Sequence, residues 1–272
     1  MRNSKTNELV LTGLFTAIII IMAFTPLGYI PLVVINATII HIPVILGSLF
    51  CGPKKGAFLG FVFGFTSCLK ATIVGGTLSS FVFSPVLAAS LVGTSGIFKS
   101  LFIAFVPRIL VGVIPYFVYI GIKRCLRQRR KNLWGTVLNV LMSVFLAFGV
   151  YAFLGKMSES LSQAAALGIG IAVGAVVFIV VEAVFIRKST QVIPFVYAGV
   201  AGAMTNTLLV MGSIFVLYKD AYADAIGVAG NAVLGVITGV ISFNGVIEAI
   251  VAAIIVYLVG LVLNTIKPIA AK

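Results

Sequence analysis

The sequence has few charged residues, a single histidine and three cysteines, and each scarcity excludes a class of function. Only 9% of its 272 residues are charged, whereas a soluble domain carries about 25%. One histidine leaves no HExxH pair, no site with several histidines and no plausible Ser-His-Asp set. There is no CxxC spacing and no GxxxxGK[ST] phosphate loop. We therefore expect neither a soluble domain nor an enzyme, and no metal or cofactor.

What the chain does have is apolar sequence, 61% hydrophobic with a mean hydropathy of +1.23. A bilayer-spanning helix needs about 20 mostly apolar residues. This predicts an all-α, polytopic membrane helix bundle that forms one domain over 1–272. The eight predicted spans are 9–26, 33–51, 56–75, 101–122, 133–154, 164–186, 192–217 and 246–266.

The basic residues predict the orientation of this bundle. Of the 19 lysines and arginines, 14 fall in segments that alternating helices place on one side, six of them between 123 and 131. Lys and Arg are enriched in cytoplasmic loops, so both termini are predicted to be cytoplasmic. The same placement favours contact with anionic lipid heads over binding of nucleic acid.

Two apolar stretches, 76–100 and 221–245, do not fit the pattern of full spans. Both are interrupted by glycines, and a further span at either place would reverse the side of everything after it. We expect external re-entrant or interfacial segments that lie on protein. They could act as lids over a pocket, or they could be short interfacial helices with no gating role.

Five polar or charged side chains lie within or at the rim of the apolar spans. They are His41, Lys70, Arg108, Asn206 and Glu248. A charged side chain at the centre of a bilayer costs about 2.5–3.5 kcal/mol on insertion scales, so such groups normally face a partner, a cavity or a ligand. The predicted topology puts all five in the external half, which predicts one outward-facing pocket.

Each of these side chains also has a purely structural interpretation. Arg108 and Glu248 could form a buried ion pair, Lys70 could extend to the interface, and His41 and Asn206 could only pack helices together. Taken together, the two cations exceed the one carboxylate. That excess favours a ligand that carries a carboxylate or another anion.

The first helix offers a candidate contact face made of small residues. Gly13 and Ala17 are four residues apart, and Ala23 continues the strip. Such spacing lets another helix approach closely. The other helix could belong to a partner protein or to the same chain.

Several sequence segments, taken in order, resemble a known family of membrane proteins. The segments are NATIIHIPVILG at 36–47, CGPKKG at 51–56, GFVFG at 60–64, FVPRILVG at 105–112, GAMTNT at 202–207 and NGVIEAIVA at 244–252. They resemble the substrate-binding S components of energy-coupling-factor (ECF) vitamin transporters. The similarity covers 9–122 and 192–266.

This resemblance implies a six-helix core in a bacterial cell membrane that captures a water-soluble vitamin from outside. It also implies a transmembrane coupling subunit and two ATPase subunits as partners, with Gly13 and Ala17 in the docking contact. ATP hydrolysis would then belong to the partners. The chain departs from the family pattern at about 123–191, where two further apolar spans form an inserted hairpin.

The predicted site combines the pocket with this resemblance. Arg108 and Lys70 are expected to hold a substrate carboxylate, and the other polar contacts are expected from His41, Asn206, Asn244 and Glu248. A carboxylate ligand makes pantothenate the first candidate, folate the second and neutral riboflavin the third. The alternatives are a stand-alone proton-coupled transporter or channel, with Glu248 and His41 as relay, and a membrane scaffold whose polar residues only pack helices.

Overall fold

The structure is a computed structural model that describes residues 2–31, 36–75, 79–128, 131–157, 161–188, 192–266 and 268–269. Its helices are α1 (Arg2–Phe24), α2 (His41–Cys51), α3 (Pro53–Ile73), α4 (Pro85–Val92), α5 (Ser95–Val111), α6 (Ile114–Cys125), α7 (Lys131–Met157), α8 (Gln163–Lys188), α9 (Val192–Ile226), α10 (Val233–Val240) and α11 (Val246–Ile266). Two three-residue strands, β1 (Tyr29–Pro31) and β2 (Asn36–Thr38), pair antiparallel. The predicted all-α polytopic bundle is confirmed.

Seven helical segments in the described part of the chain are long and apolar enough to cross a membrane. They are Thr6–Phe24, Pro53–Ile73, Ser95–Cys125, Asn132–Gly155, Gln163–Ala183, Val192–Ile226 and Val233–Ile266. The predicted span over 33–51 is wrong in extent, because α2 has only 11 residues and begins at His41. Before it, Asn36–Thr38 pair with β1, although only Thr38 of these three is β-branched. Residues 32–35 lie outside the described part.

The stretch 76–100 forms short helical pieces, of which residues 76–78 lie outside the described part. A 3-10 turn (Ser80–Val82) leads into α4, and the Ser84 hydroxyl accepts a hydrogen bond from the Leu87 N–H at 3.3 Å. Serine as cap followed by proline at the first helical position is a strong start signal. The next helix, α5, begins at Ser95, six residues before the predicted span. The 3-10 turn and Ser84 are buried, whereas Val86 and Leu91 of α4 are exposed, and the external position of this stretch stays a prediction.

The stretch 221–245 differs from the predicted external loop. Helix α9 continues to Ile226, and α10 runs into α11 through a π-helical turn (Ile241–Gly245). Val233 and Ile237, four residues apart, are both buried and fix one face of α10 on the protein. The second half of this stretch therefore extends the last helix.

Helices α3 and α5 cross at close range through a row of glycines on α3. A Cβ atom on Gly56 would lie 2.0 Å from the carbonyl oxygen of Gly112, and one on Gly60 would lie 2.1 Å from that of Arg108. Gly64 stands in the same relation to α5 one turn further on. Because no side chain fits between them, the two backbones touch. This contact fixes the part of α5 that carries Arg108.

The predicted hairpin 123–191 appears as α7 and α8, which pack mainly on each other. Thr136 and Asn139 of α7 donate to the carboxylate of Glu182 on α8 at 2.6 and 2.8 Å. Helix α7 also reaches the core, where the Tyr197 hydroxyl of α9 donates to the Leu138 carbonyl. The hairpin thus lies beside the core helices and contacts them through α7.

Candidate functional site

A cavity of about 430 Å³ lies at the end of the bundle where α3 ends and α11 begins. Five of the six predicted site residues line it: Lys70, Arg108, Asn206, Asn244 and Glu248. The rest of its lining includes Thr38, Phe63, Ser67, Ser80, Phe83, Thr207, Val210, Met211 and Val240. Its size falls in the range of small-molecule sites, about 300–1,000 Å³, and its mixture of apolar walls and few polar groups is typical of them.

Arg108 is held between aromatic rings. Its guanidinium carbon lies 4.6 Å from the ring centre of Phe83 and 5.5 Å from that of Phe63, and Nη1 donates to the Ile103 carbonyl at 2.6 Å. Because α5 begins at Ser95, Arg108 lies 13 residues along it, about 20 Å from its start. Stacking and hydrogen bonding leave a buried, oriented cation at the cavity wall.

Lys70 occupies the last turn of α3 and also lines the cavity. Its ammonium group donates to the carbonyl oxygen of Ala23, in the last turn of α1, at 3.0 Å. A cation near the C-terminal carbonyls of a helix is favourable. The side chain is half-buried, so it joins the ends of α1 and α3 while facing the cavity.

Glu248 lies in the first turn of α11 and connects three elements. Its Oε1 accepts a hydrogen bond from the Thr38 N–H of β2 at 2.8 Å, and its Oε2 accepts one from the Thr207 hydroxyl of α9 at 3.0 Å. The residue is only 6% exposed. The carboxylate therefore fixes the strand pair against α9 and α11 at the edge of the cavity.

Two buried amides face the same cavity. Asn206 on α9 and Asn244 in the π-helical turn are each 8% exposed, and the Oδ1 atom of each has no hydrogen-bond partner among the described residues. A buried acceptor without a partner costs about 1–3 kcal/mol. Since both line the cavity, O–H or N–H groups of a ligand could satisfy them. π-Helical turns occur frequently at functional sites.

The structure does not bring His41 to this cavity. It is the first residue of α2, is fully buried and does not belong to the cavity lining. Both ring nitrogens lack a hydrogen-bond partner in the described ranges. Its neighbours in the chain, Ile40 and Ile42, belong to the main hydrophobic core. Contact between His41 and a ligand stays a prediction.

Sequence reasoning did not select several residues of the lining. Thr38 contributes a backbone N–H, which no side-chain pattern reveals, and Phe63 and Phe83 look like ordinary apolar residues of their segments. Thr207 could have been selected, because it adjoins Asn206 in the polar run Thr205–Thr207. These four residues contact the charged groups: Thr38 and Thr207 bind Glu248, and Phe63 and Phe83 pack on Arg108.

The small-residue face of α1 is open. Gly13 and Ala17 are exposed, and a Cβ on Gly13 would meet no atom within 4 Å in the described structure. Phe15 and Ile19, on the other side of the helix, are buried in the core. Ala23 is buried too, so the strip does not continue to it. The Gly13–Ala17 face is therefore left uncovered by the described chain.

A family model described as "ECF transporter, substrate-specific component" matches residues 7–186. The chain belongs to this family. The match includes the hairpin of α7 and α8, which the sequence resemblance over 9–122 and 192–266 leaves out, and it ends before 192. Among the described residues of this S component, no group of three or more His, Cys, Asp or Glu could hold a metal.

Two relatives carry names that state a substrate. The chain is 42% identical over 161 residues to the pantothenic acid transporter PanT of Lactococcus lactis subsp. cremoris (strain MG1363), covering 55% of this chain and 78% of that protein. It is 27% identical over 277 residues to the pantothenate transporter PanT of Leuconostoc mesenteroides subsp. mesenteroides, covering 100% of this chain and 98% of that protein. The S component is thus similar to pantothenate transporters over most of their length.

Proposed function

We propose that this S component captures pantothenate in the cavity between α3, α5, α9 and α11 for ATP-driven uptake. Pantothenate carries a carboxylate at one end, an amide in the middle and two hydroxyls with a dimethyl carbon at the other end. The observation that carries the proposal is that one cavity holds both cations, Lys70 and Arg108, and two buried amide oxygens without a described partner. The names of the two relatives support the same vitamin.

The carboxylate belongs on the wall formed by α3 and α5. Lys70 and Arg108 lie on these two helices, and the guanidinium is oriented by Phe63 and Phe83. A planar guanidinium binds a carboxylate through two parallel hydrogen bonds, and charge-assisted bonds are about twice as strong as neutral ones. The adjacent lysine adds a second positive charge without fixing the geometry.

The hydroxyl and amide end belongs on the wall formed by α9, the π-helical turn and α11. There Asn206 and Asn244 offer acceptors to O–H or N–H groups, and Glu248 is a further acceptor. Val210 and Met211 of α9 line the cavity beside them and provide apolar surface for the dimethyl carbon. Each part of the vitamin then meets a group of matching chemistry.

The other two candidate vitamins fit this arrangement less well. Riboflavin is neutral and would bring no carboxylate to Lys70 and Arg108. Folate has two carboxylates at one end of a much longer molecule, whereas the cavity volume of about 430 Å³ lies towards the lower end of the usual range. Pantothenate therefore ranks first and folate second.

The orientation and the partners form part of the same proposal. The cavity lies at the bundle end where α3 ends, whereas Lys54 and Lys55 lie at the other end of that helix. With basic residues on the cytoplasmic side, both termini are cytoplasmic and the cavity faces outward. The exposed Gly13–Ala17 face of α1 would contact the transmembrane coupling subunit, and two ATPase subunits would hydrolyse ATP.

Ligand binding by the purified full-length protein tests the substrate. Tritium-labelled D-pantothenate should bind saturably, unlabelled pantothenate should compete, and folate and riboflavin should compete only weakly. Binding of riboflavin or folate in preference to pantothenate would overturn the assignment.

Transport assays separate this proposal from a stand-alone proton-coupled transporter or channel. In liposomes, uptake of labelled pantothenate should require the coupling subunit, both ATPases and internal ATP. Uptake by this chain alone under a proton gradient, without ATP, would favour the alternative with Glu248 and His41 as relay. A chain with no saturable ligand at all would fit a scaffold.

A further inference from the structure

The α7–α8 hairpin contacts the part of the chain that carries Asn244. The ring of Phe153 in α7 stacks on the ring of Phe243 in the π-helical turn, with centres 5.0 Å apart and planes 7° from parallel. Phe243 is buried, at 4% exposure. Through this aromatic pair the hairpin contacts Phe243, which directly precedes the cavity-lining Asn244.

A second contact lies one helical turn earlier on α7. A Cβ atom on Gly149 would lie 2.0 Å from Cγ1 of Val246, the first residue of α11. The glycine thus permits α7 to approach where the π-helical turn ends. Phe153 and Gly149 are four residues apart and share one face of the helix. Their contacts lie on both sides of Asn244.

The π-helical turn is also contacted by α9. A Cβ on Gly245 would lie 3.0 Å from Cγ2 of Thr207, whose hydroxyl donates to Glu248. π-Helical turns are rare and occur mostly as single turns inside α-helices. Both α7 and α9 thus contact the turn that carries Asn244.

We propose that the hairpin is a positioning element of the substrate site, in which Phe153 and Gly149 hold the π-helical turn so that Asn244 faces the cavity. This gives the two additional spans a role in substrate recognition. The proposal rests on the pantothenate site for its affinity consequences, but the conformational effect can be measured without any ligand. Phe153 touches no substrate; it acts through Phe243 and Asn244.

The first measurement is amide hydrogen exchange of the full-length protein in lipid nanodiscs, without ligand. Phe153→Ala should speed exchange in 241–248 and leave 53–73 at the parental rate, because only the contacts of the turn are lost. Leu141→Ala is the control, since it removes an apolar side chain from the same helix at a position that is 58% exposed and lines no cavity near the turn. Parental exchange of 241–248 in Phe153→Ala would overturn the proposal.

The second measurement is binding of tritium-labelled pantothenate to the same variants. We expect binding up to about fivefold weaker for Phe153→Ala, because the effect acts through one hydrogen bond of Asn244, worth about 1 kcal/mol, and parental binding for Leu141→Ala. Phe153→Leu, which keeps an apolar side chain, should restore most of the affinity. If Phe153→Ala does not fold, Gly149→Val takes its place, because its side chain would push on Val246 and disturb the turn.

A double-mutant cycle distinguishes positioning from general destabilisation. If Phe153 acts through Asn244, Phe153→Ala should weaken binding much less in an Asn244→Ala background than in the parent. Equal losses in both backgrounds would contradict the proposal. Should the parent bind no pantothenate, the proposed substrate is wrong, and the exchange measurement alone then decides the role of the hairpin.

Discussion

The Thr38 N–H of β2 donates to the Glu248 carboxylate of α11 at 2.8 Å, across 210 residues of sequence. The bond ties the strand pair, which precedes α2, to the first turn of the last long helix. Glu248 also lines the cavity and accepts a hydrogen bond from Thr207. One carboxylate therefore links the position of the strand pair to the wall of the cavity.

This link predicts different effects of two substitutions at Glu248. Glu248→Gln keeps the shape and leaves one oxygen to accept the Thr38 N–H, so the strand pair should stay in place. Glu248→Ala removes the acceptor, and the Thr38 amide should exchange with solvent faster. A buried donor left without its partner costs about 1–3 kcal/mol. Exchange measured by mass spectrometry over 36–41 checks this; equal protection in Glu248→Ala and the parent would contradict it.

Arg108 should dominate the affinity for an anionic vitamin. Arg108→Ala removes a hydrogen-bonded charge, worth about 1.5–3 kcal/mol, so we expect pantothenate to bind about 10- to 150-fold more weakly. Arg108→Lys should recover only part of the loss, because an ammonium group cannot bind the carboxylate in a planar, two-bond geometry. Equilibrium binding of labelled pantothenate measures both.

Lys99 gives the control for Arg108. It lies on the same helix, its ammonium group is 5.6 Å from the ring centre of Tyr218, and it does not belong to the cavity lining. Lys99→Ala should leave affinity within about twofold of the parent, as expected for an independent site. If Arg108→Ala binds as tightly as Lys99→Ala, the carboxylate does not lie at Arg108.

Asn206 should contribute through its unsatisfied oxygen. Asn206→Ala removes one hydrogen bond to the ligand, worth about 1 kcal/mol, so affinity should fall about fivefold. Asn139→Ala is a close control, because Asn139 is also a buried asparagine whose Oδ1 has no partner among the described residues, yet it lies in the hairpin and does not line the cavity. It should lower thermal stability with little effect on binding. If Asn139→Ala weakened binding and Asn206→Ala did not, Asn206 would not belong to the binding site.

The groups that bear charge could be predicted from sequence, and the elements that hold them could not. Lys70, Arg108 and Glu248 stand out because a charge in an apolar span needs a reason. The strand pair could not be predicted, because the residues before His41 are apolar enough to look like the start of a membrane span. The apolar criterion measures transfer to lipid, whereas pairing with β1 and the hydrogen bond from the Thr38 N–H to Glu248 fix the backbone here.

His41 is a residue that sequence predicts for the site but that the structure places elsewhere. A lone histidine in an apolar span has the polarity expected of a site residue. At the start of α2, however, its side chain is buried in the protein interior and does not line the cavity. Asn244 was predicted from its place in the family-like segment 244–252. The π-helical turn that presents it to the cavity contacts α7 and α9, and no local sequence pattern encodes those contacts.

The position of His41 predicts a small effect on binding. His41→Gln keeps polar atoms and similar length, and groups that share no partner act independently within about 0.5 kcal/mol. We therefore expect pantothenate affinity within about threefold of the parent, measured beside Asn206→Ala. A loss as large as that of Arg108→Ala would mean that His41 reaches the ligand after a rearrangement of α2.

The exposed face of α1 predicts a separation between binding and transport. Gly13→Leu and Ala17→Leu add bulk where the described chain has only open space, so pantothenate should bind to the purified protein as before. Close helix approach needs small residues, so the same variants should lose co-purification with the coupling subunit and ATP-driven uptake. Gly121→Leu on α6 is the matched control, since a Cβ there also meets nothing within 4 Å. If Gly121→Leu loses transport equally, added bulk anywhere on the lipid-facing surface is harmful. If Gly13→Leu keeps parental uptake, the coupling contact lies elsewhere.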